Sequence, residues 1–263
     1  MGVLSSDTIL EITIMRKTVL ATALAAATAL PGLASAQATS PHSVAGNMSI
    51  VSDYRFRGIS QTFVQSAIQG GIDYSHSSGF YLGNWNSNVS GISFVDGTIE
   101  TDFYGGYKFG AGPVSLDVGL LQYYYPNAES AGTKYDTLEA YIGASWKWLT
   151  LKYSSTLGDW FGVTAPGLES KGSGYIDLSA SYEVAPKLTL VGHIGQQKVK
   201  NYSNLDYTDY KIGLTYDMNG WVLGAAYIDT DAEDAFYTMA TATSGKVKDL
   251  GKGTVVLSVS NSF

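Results

Sequence analysis

Twelve segments of this chain alternate apolar and polar residues with a period of two, and no other feature of the sequence limits the possible folds more strictly. Successive side chains of a β-strand point to opposite faces, so each such segment has one apolar and one polar face. In the last segment, Val255, Leu257 and Val259 alternate with Ser258 and Ser260. The pattern predicts an all-β protein whose strands separate a nonpolar medium from water.

The connections between these segments alternate between short and long. Short turns are predicted near Ser77, Gly110, Lys147, Pro186 and Asn219. The long connections cover residues 58–64, 90–97, 125–135, 157–173, 198–208 and 230–253. Barrels of the bacterial outer membrane have short periplasmic turns, longer extracellular loops and an even strand count. Soluble sandwiches have no reason to sort their loops by length. We therefore predict a transmembrane antiparallel up-and-down β-barrel of about twelve strands.

Aromatic residues are expected to form two girdles, one at each end of the strands. The girdle at the turn end would contain Tyr81, Tyr107, Phe109, Trp146, Trp148, Tyr182, Tyr216 and Trp221. The girdle at the loop end would contain Tyr54, Phe56, Tyr123, Tyr153, Tyr210 and Tyr227. Aromatic rings favour the two interfaces of a membrane. In the third strand, this interpretation places Tyr81 and Trp85 on the lipid side and the asparagines at positions 84, 86 and 88 on the inner side.

The amino terminus has the features of a secretory signal. A basic stretch at residues 15–17 (MRK) precedes an apolar stretch at residues 18–30, which is too short to cross a membrane, and residues 34–36 (ASA) match an A-x-A cleavage site. Asp7 and Glu11 are unusual ahead of such a signal, so we expect translation to begin at Met15. The predicted organisation is an extension and signal peptide at residues 1–36, a polar periplasmic linker at residues 37–45 and the barrel at residues 46–263.

Composition excludes several other classes of protein. The chain has no cysteine, so neither disulfides nor thiolate metal sites are available. A net charge of −7 opposes nucleic-acid binding, which requires clustered Lys and Arg. After the signal, no stretch approaches the ~18 consecutive apolar residues of a membrane-spanning helix. We expect no cofactor.

Three stretches near the start of the predicted barrel carry a family resemblance. Residues 51–62 (VSDYRFRGISQT), 67–73 (AIQGGID) and 79–85 (GFYLGNW) resemble the opening of the TorF-type porins, also called the Gcw_chp family. The resemblance extends to the signal peptide, the overall length and the terminal Phe263. It implies an outer-membrane β-barrel that forms a pore.

The chain ends on an aromatic residue directly after its last strand. This ending resembles the signal that the outer-membrane assembly machinery recognises, so Phe263 is the candidate assembly signal. With an even strand count, the last strand must pair with the first. We expect residues 255–263 to lie antiparallel to residues 47–57.

Charged residues on the predicted inner faces are candidates for lining a pore. They are Asp53, Arg55, Arg57, Glu100, Asp102, Asp117, Glu139, Lys152, Asp177, His193 and Lys211. Charge at membrane depth requires water or a partner. The first three residues therefore form either a charged ladder along a narrow pore or an ion-pair network that plugs the barrel. Acids outnumber bases in this set, which favours cations over anions.

The sequence also contains residues for two other kinds of site. The acidic residues Asp229, Asp231, Glu233 and Asp234 in the last long loop could hold calcium or bridge divalent ions to lipopolysaccharide, but acidic loops are more often simply solvated. A lipid-modifying enzyme would require a catalytic base, and none of the histidines (His42, His76 and His193) adjoins a recognisable serine nucleophile. A soluble periplasmic β-barrel that binds a ligand is a third alternative.

The sequence thus predicts a porin-like channel of the bacterial outer membrane for passive diffusion of small polar or charged solutes, and not an enzyme. The alternatives are a lipid-acting barrel enzyme and a non-conducting structural or adhesive barrel. The expected partners are outer-membrane lipid, lipopolysaccharide, the barrel assembly machinery and the solutes. A monomer is expected because every predicted outward face is apolar.

Overall fold

The structure, a computed structural model, describes residues 40–263 except residues 92, 95, 131 and 241–244. The predicted extension and signal peptide at residues 1–36 lie outside this range. The barrel strands are β1 (His42–Val51), β2 (Ala67–His76), β3 (Phe80–Asn88), β4 (Ile99–Ala111), β5 (Val114–Tyr124), β6 (Thr137–Trp146), β7 (Leu149–Thr156), β8 (Gly174–Ala185), β9 (Leu188–Lys198), β10 (Tyr207–Met218), β11 (Trp221–Thr230) and β12 (Thr254–Ser262). Each strand pairs antiparallel with its neighbours in the chain, and β12 pairs with β1, which confirms the closed twelve-strand barrel.

The two kinds of connection lie at opposite ends of the barrel, as predicted. Four of the five turns at one end contain only two residues, for example Lys147-Trp148 and Asn219-Gly220. Asn219 and Gly220 both have positive φ, 57° and 100°, which matches the twist of a tight antiparallel hairpin. The long connections at the other end include three small two-stranded sheets and one short helix, Asp234–Tyr237. Among the residues that the structure describes, no helix is long and apolar enough to cross a bilayer.

The barrel closes where its first and last strands pair, which is called the closing seam. β12 pairs with β1 from Asn47 opposite Ser262 to Val51 opposite Ser258, as predicted. The backbone N–H of Gly46 donates to the carbonyl of Phe263 at 2.7 Å, and the N–H of Phe263 donates back at 3.0 Å. The boundaries of the first strand differ from the prediction. β1 begins at His42, inside the predicted linker, and ends at Val51 rather than continuing to residue 57.

The outer surface of the barrel is an apolar band between two aromatic girdles. Exposed apolar side chains on successive strands include Val44, Ile72, Leu82, Phe103, Leu120, Ile142, Leu178, Ile194, Ile212 and Leu257. Of the predicted girdle residues, Tyr107, Phe109, Trp146, Trp148, Tyr182, Tyr216, Trp221, Tyr153, Tyr210 and Tyr227 are exposed as expected. Tyr54, Tyr81 and Tyr123 are buried, and Phe56 is half-buried, so these four do not belong to a girdle.

The predicted faces of β3 are reversed in the structure. Tyr81 and Trp85 are buried inside the barrel, whereas Asn84 and Asn86 lie on the outer face and are half-buried. The reason is tertiary, because the two inward rings have partners that the sequence pattern does not reveal. The Tyr81 hydroxyl donates to Asp117 Oδ1 at 2.7 Å, and the Trp85 ring packs edge-on at 5.4 Å from the Tyr54 ring.

Candidate functional site: the barrel lumen

After β1 the chain leaves the barrel wall and folds into the lumen. This inserted segment, residues 52–66, contains a hairpin in which Arg55–Phe56 pairs with Ile59–Ser60. Arg57 and Gly58 form its tip with positive φ of 46° and 81°. A Cβ atom at Gly58 would lie only 2.4 Å from Thr230 Cγ2 and 2.7 Å from Asp209 Cβ. The tip therefore approaches the wall too closely for any residue with a side chain.

Arg57 connects the tip to distant parts of the barrel wall. Its Nη2 donates to both carboxylate oxygens of Glu139 on β6, at 2.9 and 2.7 Å, and its Nη1 donates to Gln197 Oε1 on β9 at 2.8 Å. The guanidinium also lies over the Tyr175 ring of β8, 4.2 Å from the centroid. Burial disfavours the Arg57 charge, but Glu139 outweighs this effect and holds the Arg57 pKa above its ordinary value. Arg57 thus stays charged, and its hydrogen bonds to the Glu139 carboxylate are charge-assisted, which makes them stronger than hydrogen bonds between neutral groups.

Asp53 and Arg55 stabilise the hairpin itself. Arg55 Nε lies 2.5 Å from Asp53 Oδ2, and Asp53 Oδ1 accepts from Ser60 Oγ at 2.6 Å. Arg55 Nη1 also donates to the carbonyl of Leu250, in the last long loop, at 2.7 Å. The expected placement of Asp53, Arg55 and Arg57 on the first strand is therefore wrong, because that strand ends at Val51. These residues belong to the inserted segment because their hydrogen-bond partners lie across the lumen and in the loops.

Aromatic rings fill the space between the inserted segment and the wall. Tyr54 packs on Trp85, and its hydroxyl donates to Glu100 Oε1 at 2.9 Å. Phe56 packs edge-on against Tyr123 and Phe161, with ring centroids 5.4 and 5.7 Å apart. Glu100 is 1% exposed and Glu139 is 2% exposed. The loop-end half of the lumen is consequently filled by protein.

A second polar cluster lies on β8, β9 and β10. His193 places Nε2 2.5 Å from Asp209 Oδ1 and directs Nδ1 to Asp177 Oδ2. The Tyr175 hydroxyl donates to the other oxygen of Asp209 at 2.8 Å. Both ring nitrogens of His193 are thus occupied by carboxylates, which leaves neither to activate a nucleophile. Tyr175 also contacts Arg57, so this cluster adjoins the inserted segment.

Tyrosines paired with glycines line the turn-end half of the lumen. The Tyr104 ring lies over Gly83, and its hydroxyl donates to Asp73 Oδ1 at 2.5 Å. The same arrangement recurs where Tyr81 lies over Gly106 and Tyr141 over Gly119. A Cβ atom on any of these three glycines would lie 2.2 to 2.5 Å from the nearest atom of the tyrosine side chain that covers it. Sequence reasoning missed this set, although the cross-strand register that pairs each tyrosine with its glycine would have indicated it.

The remaining predicted lumen residues point into the barrel. Asp102, Glu100, Glu139 and Asp177 are buried, and Asp117, Lys152, His193 and Lys211 are half-buried on inward positions of their strands. Lys152 Nζ lies 4.0 Å from the centroid of the Tyr141 ring. The structure brings Asp177 together with His193, and Glu139 together with Arg57. That these residues line a conducting path stays a prediction.

The acidic residues of the last long loop are not gathered into one site. Asp229 accepts hydrogen bonds from the Tyr227 hydroxyl and the Thr230 N–H, both at 2.9 Å. Asp231 accepts from the Thr208 N–H at 2.5 Å, and Asp234 begins the short helix. Within the described part of the chain, no group of three or more His, Cys, Asp or Glu residues is arranged to hold a metal ion.

The outer surface indicates the kind of barrel, and a solved structure shares the fold. An apolar band between two aromatic girdles around a closed barrel is the surface of an outer-membrane protein. A KdgM porin has a similar structure, with a TM-score of 0.50 and 9% sequence identity over 84% of this chain and 98% of that chain. An outer membrane channel from Pseudomonas putida F1 has a TM-score of 0.42 and 10% identity, over 88% and 98% of the two chains. The first similarity supports the fold alone.

The sequence comparisons assign the chain to a family. No curated protein matches the sequence. Residues 35–263 match the family described as "Bacterial protein of unknown function (Gcw_chp)". The match covers most of the chain, including the whole barrel, while the TorF-type porin assignment stays a prediction. The chain, whose strands form a closed twelve-strand barrel, belongs to the Gcw_chp family.

Proposed function

We propose that this protein is an outer-membrane channel for passive diffusion of small polar or charged solutes, and that the inserted segment closes it. Barrels of this strand number lie between filled eight-strand barrels and open sixteen-strand porins. A twelve-strand wall therefore leaves room for a path once the lumen is cleared. The polar and charged inner wall supports solutes of that kind, because an apolar wall would not replace their hydration.

The observation that carries this proposal is the way in which the inserted segment is attached. Beyond Ser52, its backbone hydrogen bonds to the rest of the described chain run to other loops, at Leu250 and Ser90. Its link to the strands of the wall consists of side-chain contacts, chiefly those of Arg57 with Glu139 and Gln197. Such a segment can leave the lumen without breaking the pairing of any barrel strand.

Charge on the inner wall supports a preference for cations. Glu139 is neutralised by Arg57 only while the segment is inserted. When the segment leaves, Glu139 joins Glu100, Asp102 and Asp177 as acidic groups on the wall. The predicted selectivity can be read from reversal potentials in a salt gradient across a planar bilayer.

The decisive experiment compares the wild type with a variant in which residues 53–62 are replaced by a short Gly-Ser linker. Refolded wild-type protein should be mostly silent with brief openings in a planar bilayer, and the variant should conduct steadily. Heat-modifiable gel mobility verifies that both proteins are folded. A folded variant that stays silent at all voltages and salt concentrations would contradict the channel.

A non-conducting structural barrel is the second candidate. The observation that favours it is the burial of the inserted segment, where Asp53 is 4% exposed and Arg57 is 9% exposed. Buried and fully paired charges also occur where a network only maintains shape. Silence of the folded linker variant would support this candidate. A lipid-acting enzyme has no comparable support, because both nitrogens of His193 contact carboxylates.

A further inference from the structure

One stripe of the outer barrel surface is polar although it faces lipid. Asn84, Asn86 and Asn88 occupy three successive outward positions of β3. On the flanking strands, Gly70 and Thr101 lie opposite Asn86 in the register. These five residues are called the asparagine face. On β9, six strands away in the ring, the exposed outward residues at the corresponding depth are Leu190 and Ile194.

The asparagine face lies within the depth of the hydrocarbon. Phe80, exposed at the turn end of β3, marks the membrane interface on that side. A rise of about 3.3 Å per residue and a tilt of roughly 40° place Asn84 about 10 Å and Asn86 about 15 Å beyond Phe80 along the membrane normal. The apolar band of an outer-membrane barrel is roughly 25 Å tall. Asn84 and Asn86 are therefore at lipid depth, and Asn88 is near the outer interface.

The amides of this face keep hydrogen-bonding capacity that the chain does not use. Asn86 Nδ2 donates to Asn84 Oδ1 at 2.7 Å and to the carbonyl of Gly70 at 3.4 Å, and Asn84 Nδ2 donates to the carbonyl of Asp102 at 3.0 Å. The Asn88 amide accepts from the Ile68 N–H at 2.8 Å and donates to the carbonyl of Ser66 at 3.4 Å. Each amide has two N–H donors and an oxygen with two lone pairs, so one N–H of Asn84 and Oδ1 of Asn86 remain for a further partner. Lipid tails cannot satisfy them, and leaving polar groups unpaired in an apolar medium is costly.

We propose that the asparagine face binds a second copy of this chain, side by side in the membrane. All copies insert with the same orientation, so a twofold axis along the membrane normal brings the same surface of each copy together at the same depth. Amides suit such an axis because each carries both donors and acceptors. Gly70 and Thr101 have small side chains or none, which allows close approach of the two barrels as small residues do between membrane helices.

The lack of charge on this face supports the same partner. Each chain carries a net charge of −7, so any contact between two copies must avoid the charged loops. None of the five residues of the asparagine face is charged. The monomer expected from the sequence depended on every outward face being apolar, and β3 does not meet that condition.

The natural absence of cysteine permits a direct test in native outer membranes. Single variants Asn84→Cys and Asn86→Cys are compared with Ile194→Cys, whose position on β9 is exposed at a comparable depth. After mild oxidation, or treatment with a short bifunctional maleimide, non-reducing gels should show several-fold more covalent dimer for positions 84 and 86 than for position 194. A disulfide forms only where the two Cβ atoms come within about 4 Å, so at least one position must lie near the axis.

Three outcomes would overturn the proposal. The first is no covalent dimer at position 84 or 86 while a monofunctional maleimide labels both thiols. The second is an equal yield at position 194, which would indicate random collision. The third is a wild-type mass of one chain per particle in lipid nanodiscs by light scattering. If the proposal is correct, the wild type has the mass of two chains and the double variant Asn84→Leu/Asn86→Leu has the mass of one.

Discussion

Arg57 is the residue through which the inserted segment contacts the barrel wall most extensively. Its guanidinium is shared among Glu139, Gln197 and the face of Tyr175, which belong to three different strands. Two different nitrogens of the guanidinium reach Glu139 and Gln197 while its plane lies over a ring, so lysine, with one nitrogen, is not an equivalent replacement. If the segment closes the channel as proposed, this side chain is its main polar link to the wall.

We predict that Arg57→Ala lowers the free energy of unfolding by about 3–5 kcal/mol, because it leaves Glu139 buried without a partner. The same substitution should increase the open time of the channel in planar bilayers. The control is Lys198→Ala, which removes an exposed ion pair with Asp206 and should cost less than about 1 kcal/mol. Equal effects of the two variants in denaturant titrations would contradict the assigned role of Arg57.

Gly83 provides a second test at the residue scale. A methyl group at this position would lie 2.2 Å from the Tyr104 ring and would displace it from Asp73. We predict that Gly83→Ala destabilises the barrel by about 1–3 kcal/mol, as overpacking of a filled interior does. Gly143→Ala is the matched control, because the nearest atom to its added methyl group is 3.7 Å away. Denaturation followed by tryptophan fluorescence should show a loss of stability for the first variant only.

Among the elements, β12 pairs with β1 as predicted, whereas β1 itself begins and ends earlier than predicted. β12 closes the barrel against β1, and the Phe263 ring covers Gly46, where a Cβ atom would lie 2.6 Å from it. β1 is shorter than its alternating pattern because the chain turns inward after Val51. The alternation continues through residues 52–57 although these residues are not part of the wall.

We predict that removing Phe263 reduces assembly before it alters any activity, because its backbone makes the last two hydrogen bonds of the seam with Gly46. The folded fraction in isolated outer membranes, measured as heat-modifiable protein, should fall several-fold. Phe263→Tyr keeps the backbone and the ring and should assemble normally. Normal assembly of the truncated chain would show that Phe263 is not an assembly signal.

For the whole molecule, the apolar band between two girdles determines how the protein must be handled. The barrel exposes Ile72, Phe103, Ile142 and Leu257, with exposed fractions above half, on different sides of its outer surface. Such a surface is stable only in lipid or detergent. We predict that the protein stays with the membrane pellet until detergent is added and then migrates differently on gels before and after boiling. Recovery of folded protein in detergent-free buffer would instead indicate the soluble alternative.

The fold could be predicted from the sequence because the two signals that define it are local. Period-two alternation specifies strands. The alternation of short turns and long loops specifies an up-and-down barrel, with the turns at one end and the loops at the other. The inward placement of Asp177 and Glu139 followed from the same alternation. The partner of Glu139, Arg57, could not be predicted, because it lies 82 residues away in a segment that leaves the wall. His193 lies on the strand next to that of Asp177, so only the register of that hairpin was needed to bring the two together.

The sequence by itself determined the strands, their order, the closing pair and the apolar outer band of this protein. Only the tertiary structure decided that residues 52–66 fill the lumen and that β3 turns its asparagines outward. Alternation states which residues share a face, but it does not state which face meets lipid when both are partly polar, nor whether an alternating stretch stays in the wall. Those choices depend on contacts across the barrel, such as Arg57 with Glu139 and Tyr81 with Asp117.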